Sequence, residues 1–169
     1  MIRRIVALTG VVITAIVLQS TVFGQIKLFG TKPELLYIVT VLLAIIEGPQ
    51  EGMLFGFFGG MAQDFFLNQP KGVTALTLTL LGYTMGLARQ YIVSPSPILP
   101  TLLVAVGTFC AVCFYEVVRF LLGDLELSSV EFFRIAILIA AYDALLTPLA
   151  YPVLRRLFEG SRPRKVVRF

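Results

Sequence analysis

The stretch EGPQEGMLFGFFGGMAQDFF, residues 47–66, decides how this chain folds. Gly48, Gly52, Gly56, Gly60 and Asp64 recur in it at intervals of four. Four residues is close to one helical turn, so the five share one ridge of a helix. Glycine in a helix interior costs about 1 kcal/mol relative to alanine. A ridge built from it is expected where another backbone must come very close. In a bilayer this small-xxx-small spacing marks a helix-packing face. The ridge ends in Asp64, and a carboxylate is costly near hydrocarbon. Either it reaches headgroup water or caps a neighbouring loop, or it pins another helix or a bound group.

The rest of the chain is just as apolar. Of its 169 residues, 57% are hydrophobic and 14% are charged. The mean hydropathy is +0.89. Soluble domains run nearer ~45–50% apolar and ~25% charged, so an all-α integral membrane protein is expected. The length fits one compact bundle without a separate soluble domain. There is no histidine, which removes the commonest metal ligand and general base. Cys110 and Cys113 form a CxxC inside an apolar run. Zinc would need further Cys or His ligands that the sequence lacks, and thiolates are disfavoured there, so both read as small apolar fillers. No cofactor, metal or nucleic-acid partner is implied.

A membrane-crossing helix needs about 20 apolar residues. Ile5–Phe23 is the first candidate. Arg3 and Arg4 precede it like the basic start of a signal peptide, but the run is long and no A-x-A cleavage pattern follows, so a retained anchor is expected. Pro33 opens a second span to Ile46, only about 21 Å long at 1.5 Å per residue. It must tilt at a thin spot or borrow loop residues. Pro49–Leu67 is the third span and carries the glycine ridge. A turn over 68–72 leads to Val73–Ala88, the fourth span, where Gly82 and Gly86 make a second small-residue ridge beside Tyr83. Prolines at 95 and 97 break the chain before Ile98–Leu122, the fifth span. An acidic loop, Gly123–Glu131, precedes Phe132–Leu154, the sixth, where Pro148 and Pro152 should kink or end the helix.

Six spans put both termini on one side. With the termini inside, nine cations face inward: Arg3, Arg4, Arg89, Arg155, Arg156, Arg162, Arg164, Lys165 and Arg168. Lys27, Lys32 and Lys71, with Arg134 at the edge, face outward. The positive-inside rule therefore predicts cytoplasmic termini. Residues 1–158 form the membrane domain, and 159–169 form a basic cytoplasmic tail suited to anionic headgroups.

Several charges fall where lipid should be. Glu47 and Glu51 flank the inner turn, where a helix N-terminus favours an anion. Glu116 and Arg119 are three apart on the fifth span and can pair, and Asp143 on the sixth is a second expected partner for Arg119. Paired charges of this kind lock helices together. Asp64 and Asp143 together suggest an aspartyl protease dyad, and Tyr142-Asp143 matches half of the intramembrane pattern. The other half, Gly-x-Gly-Asp, is absent, since Met61-Ala62-Gln63 precedes Asp64. Asp64 is also expected near the outer face and Asp143 near mid-membrane, so no catalytic residue is assigned.

The order of parts from Pro33-Glu34 through Glu47-Gly48-Pro49, Gly52, Gly56-Phe57, Gly60, Asp64, Pro70-Lys71-Gly72, Gly82-Tyr83 and Gly86 resembles the bacterial rod-shape-determining MreD family. The resemblance implies a non-enzymatic subunit of the cell-elongation machinery in the bacterial inner membrane. It implies binding to an MreC-like single-span protein, and through it to MreB-like filaments and peptidoglycan synthases. The family is also similar in fold to the six-helix substrate-binding subunits of energy-coupling-factor transporters. Two mechanisms then compete. In one, the protein is a scaffold whose small-residue groove receives a partner helix. In the other, it binds a small molecule or lipid-linked precursor between spans. The outer halves offer few polar groups beyond Asp64, Asn68, Gln69 and Tyr83, which favours the scaffold. The ridge on the third span is expected to meet Gly82 and Gly86 internally, leaving the partner a smaller groove on the first span at Ala7, Gly10, Thr14 and Ala15.

Overall fold

The computed structural model of the chain describes residues 2–21, 31, 33–66, 72–89, 98–123 and 129–159. Six helices and no strand occur among them: α1 (Ile2–Thr21), α2 (Leu35–Glu47), α3 (Pro49–Phe66), α4 (Val73–Ala88), α5 (Ile98–Leu121) and α6 (Ser129–Glu159). Two of these, over Ile98–Leu121 and Glu131–Phe158, are long and apolar enough to cross a membrane.

α2 sits at the centre because it is apolar on every side, and a helix of that kind has no face to give to a polar solvent. It touches each of the other five helices. Leu36, Val41, Leu42 and Ala44 are fully buried, and Leu36, Val41 and Leu42 join Leu78 and Val104 in the main core cluster. One residue joins α2 to α3. Gly48 has φ +120°, a conformation side-chain-bearing residues rarely adopt. Its N–H donates to Ala44 O at 3.0 Å, and its carbonyl accepts from Gly52 N–H at 3.0 Å. Pro49 then starts the next helix, where its missing N–H is not needed.

Neighbouring helices run antiparallel. Gly52 meets Ala44 and Gly59 meets Leu36, so α3 runs back along α2. Gly52 faces Gly82 and Gly60 faces Ala75, so α4 runs back along α3. Leu8 of α1 and Phe158 of α6 line one recess with Leu43, Glu47 and Glu51. The first and last helical turns therefore lie at the same end as the α2–α3 joint.

α6 differs from expectation. It does not stop near Leu154 but continues through Pro148 and Pro152 to Glu159. Each proline removes one i→i−4 bond, yet Leu154 and Phe158 beyond them are buried in the core and hold the last turns in place. The basic tail beyond Glu159 lies outside the described residues.

Candidate functional site: a capped polar layer and an apolar groove

The most extensive contact in the bundle is α3 on α4. A Cβ on Gly56 would lie 2.5 Å from the carbonyl carbon of Leu78 and 3.0 Å from Thr79 N. On Gly60 it would lie 2.5 Å from Ala75 Cα, and on Gly82 2.5 Å from the carbonyl carbon of Gly52. On Gly86 it would lie 2.5 Å from Pro49 N. Backbone thus meets backbone along the whole crossing, as small-residue packing requires. Gly48 is the joint rather than a member of the ridge. Gly59, one residue off the four-residue repeat, faces Leu36 of α2 at 3.3 Å.

Asp64 and Asp143 are both fully buried, and each caps a neighbouring helix. Asp64 Oδ2 accepts the N–H groups of Gly72 at 2.8 Å and Ala75 at 3.3 Å. These are the first turn of α4, whose cap position is Gly72 and carries no side chain. Asp64 supplies from α3 what the cap residue cannot, and its charge suits the positive end of α4. Asp143 Oδ1 accepts Glu34 N–H at 3.0 Å, just ahead of α2, and its Oδ2 accepts from Thr108 Oγ1 at 3.1 Å. The expected pairing of Asp143 with Arg119 is not formed. The α2 N-terminus takes the carboxylate instead, while Arg119 lies 3.3 Å from Glu116 Oε1. Asp143 is therefore level with the start of α2 rather than with its middle. This also accounts for the shortness of α2, which begins inside the bundle, roughly 21 Å along α6 at 1.5 Å per residue.

Around these caps lies a polar layer that the sequence alone did not reveal. Glu34 Oε2 accepts from Gln63 Nε2 at 3.3 Å and from Gln19 Nε2 in a shorter bond. Gln19 is the single amide of α1, and Gln63 is set deep in the apolar part of α3, far from Gln50 in its first turn; they are 1% and 5% exposed. That isolation was the available signal. A cavity of about 190 Å³ opens here, where α3 and α5 finish and α2, α4 and α6 begin. Glu34, Tyr37, Gln63, Tyr115, Glu116 and Arg119 line it. The polar groups expected at this end were others. Asp64 is turned to the α4 cap, Tyr83 is 44% exposed on the outer surface of α4, and Asn68 lies outside the described residues.

A second, larger hollow of about 560 Å³ separates α1 from α6. Gly10, Thr14 and Ala15 form one wall and Leu149, Ala150 and Val153 the other, with Leu35 and Val39 at its floor. Thr14 Oγ1 donates to Gly10 O at 2.7 Å, so its hydroxyl is used within α1. A Cβ on Gly10 would meet nothing within 4 Å. Ala7 is on the same helix, one turn before Val11, and its side chain is outside the described set.

No group of three or more His, Cys, Asp or Glu side chains that could hold a metal ion occurs among the described residues. No curated protein and no solved structure matches the chain. Residues 1–159 match the family described as rod shape-determining protein MreD. That match runs from α1 through the end of α6, and the chain belongs to the rod shape-determining MreD family, which assigns it a role in setting rod shape.

Proposed function

We propose that the protein is a non-enzymatic multi-pass scaffold of the bacterial inner membrane. In this reading it holds an MreC-like single-span partner by that partner's transmembrane helix. Through the partner it helps position MreB-like filaments and peptidoglycan synthesis at the lateral wall. The membrane reading is supported by the outer faces of the bundle. Phe66, Leu121 and Leu145 are 77%, 76% and 74% exposed. Leaving such side chains in water costs about 25 cal/mol per Å² of apolar surface, a cost that lipid tails remove. Cytoplasmic termini are supported by the cation count and by the shared recess of Leu8 and Phe158.

The observation that carries the scaffold reading is the groove between α1 and α6. It is apolar, and its α1 wall sets the small residues Gly10, Thr14 and Ala15 beside Val11 and Leu18. The α3 glycine ridge is already occupied by α4, so it offers no room to a partner. Helices in lipid associate by close packing against small residues, and the α1 wall provides that surface. Gly10→Leu is the test, because the added side chain enters open space. The variant should fold with an unchanged melting temperature in detergent yet lose co-purification with a co-expressed MreC-like protein. Retained co-purification in Gly10→Leu, with no crosslink from Gly10→Cys or Val153→Cys to the partner, would sink the groove as the docking site.

A further inference from the structure

α1 is the helix least held by the bundle. Among the described residues it lies on α2 and, more lightly, on α3, with no extensive contact to α4, α5 or α6. Its inner half is held by packing: Leu8, Val11 and Val12 lie against the core, and Ala15 is part of it. Its outer half is held differently. From residue 16 to residue 21 the single buried side chain is Gln19, with Val17 and Leu18 exposed on either side of that face. Ser20 and Thr21 donate their hydroxyls back to Val17 O within α1. Gln19 Nε2 instead donates across to Glu34 Oε2, ahead of α2. The receiving side of that bond is fixed. Glu34 N–H donates to Asp143 Oδ1 of α6 at 3.0 Å, Glu34 O accepts from Tyr37 N–H at 2.9 Å, and Gln63 Nε2 of α3 reaches the same carboxylate oxygen at 3.3 Å.

Stability does not account for this bond. Gln19 Oε1 is buried with no hydrogen-bond partner among the described residues, and a stranded carbonyl offsets much of what the amide donor gains at the carboxylate. A leucine would avoid both. What the bond does is fix position: it keeps the outer end of α1 against α2, and the hollow of about 560 Å³ lies open between α1 and α6. The two walls are suited to close on each other. Gly10, Thr14 and Ala15 of α1 stand opposite Leu149 and Val153 of α6, and small residues let helices in lipid approach closely. We propose that the Gln19–Glu34 hydrogen bond is a latch that sets the tilt of α1 and holds the α1–α6 groove open. When it is released, the outer end of α1 swings onto α6 and shuts the groove. Spread over a helix wall roughly 12 Å long and 10 Å wide from Gly10 to Leu18, the hollow amounts to a gap of about 5 Å, which sets the travel. That this gate governs docking rests on the groove being the partner's site; the latch itself does not.

The latch is measured on the full chain alone, in lipid nanodiscs, as the distance between spin labels on Val17→Cys of α1 and Leu145→Cys of α6. Cys110→Ala and Cys113→Ala remove the native thiols. Both labelled positions are exposed and neither lines the groove, so the labels do not prop it open. Gln19→Leu should shorten the mean distance by up to about 5 Å, with a melting temperature equal to or above that of the wild type. Gln19→Ala serves if the leucine variant does not fold. Exchanging the two groups, Gln19→Glu with Glu34→Gln, rebuilds an amide–carboxylate bond in the reverse sense. The exchanged pair should restore the wild-type distance, which a side chain that merely fills space would not do. A distance in Gln19→Leu unchanged in mean and width would overturn the proposal, as would a shortened distance that persists in the exchanged pair. No partner is present in this measurement, so either result leaves the docking site to be judged by Gly10→Leu.

Discussion

Gly56→Ala is the smallest change that tests whether backbone contact holds this bundle together. A Cβ there would sit 2.5 Å from the carbonyl carbon of Leu78, against an ordinary contact beginning at 3.4 Å. The atoms in the way are backbone, so no rotamer can relieve the clash. α3 and α4 must separate by about 1 Å, which forfeits a large part of the dispersion energy along the crossing. Overpacking of this kind costs about 1–3 kcal/mol, and a backbone obstacle places this case at the upper end. Alanine returns about 1 kcal/mol through its higher helix propensity. The net expectation is a loss of about 2 kcal/mol. Gly10→Ala is the matched control, since it makes the same chemical change on a helix where the Cβ meets nothing within 4 Å. That variant should be neutral or more stable by up to about 1 kcal/mol. Reversible unfolding of both variants in mixed detergent measures the difference. If Gly56→Ala is as stable as the wild type, or falls no further than Gly10→Ala, the close approach of α3 to α4 is not what the glycines are for.

Further outcomes follow from the two buried caps. Asp64→Ala should lose about 2 kcal/mol of stability, because Gly72 N–H and Ala75 N–H lose their acceptor; Asp64→Asn keeps an oxygen without the charge and should lose about 1 kcal/mol. Asp143→Ala strands Glu34 N–H and the Thr108 hydroxyl and should cost about 3 kcal/mol, whereas Thr108→Val removes a single bond and should cost about 1 kcal/mol. Arg119→Ala and Asp143→Asn should be additive within about 0.5 kcal/mol in a double-mutant cycle; a larger coupling would restore the ion pair that the geometry replaces with a helix cap. Reporter fusions after Arg4 and after Phe169 should both read cytoplasmic, and an external signal from either one contradicts the topology proposed for the chain.

The sequence determined those features that depend on neighbours along one helix. Hydropathy and the prolines at 33 and 49 located the helices, and α4 came out at the expected Val73–Ala88. The spacing of Gly52, Gly56, Gly60, Gly82 and Gly86 pointed to close packing because a four-residue interval is a property of the helix itself. Pro148 and Pro152 misled, since a local rule for helix ends cannot register that Leu154 and Phe158 are held by the core. The roles of the polar groups were also out of reach. Gln19, Glu34 and Gln63 are 15 to 44 positions apart along the chain, and nothing in their spacing says that two amides meet one carboxylate. Asp143 looked like a partner for Arg119 because both are charged. Only the tertiary structure brings the unsatisfied N-terminus of α2 to the Asp143 carboxylate, and that of α4 to Asp64. A free helix end is a partial charge that local sequence does not display. It selects its partner only after the helices have packed and removed water as the competing acceptor.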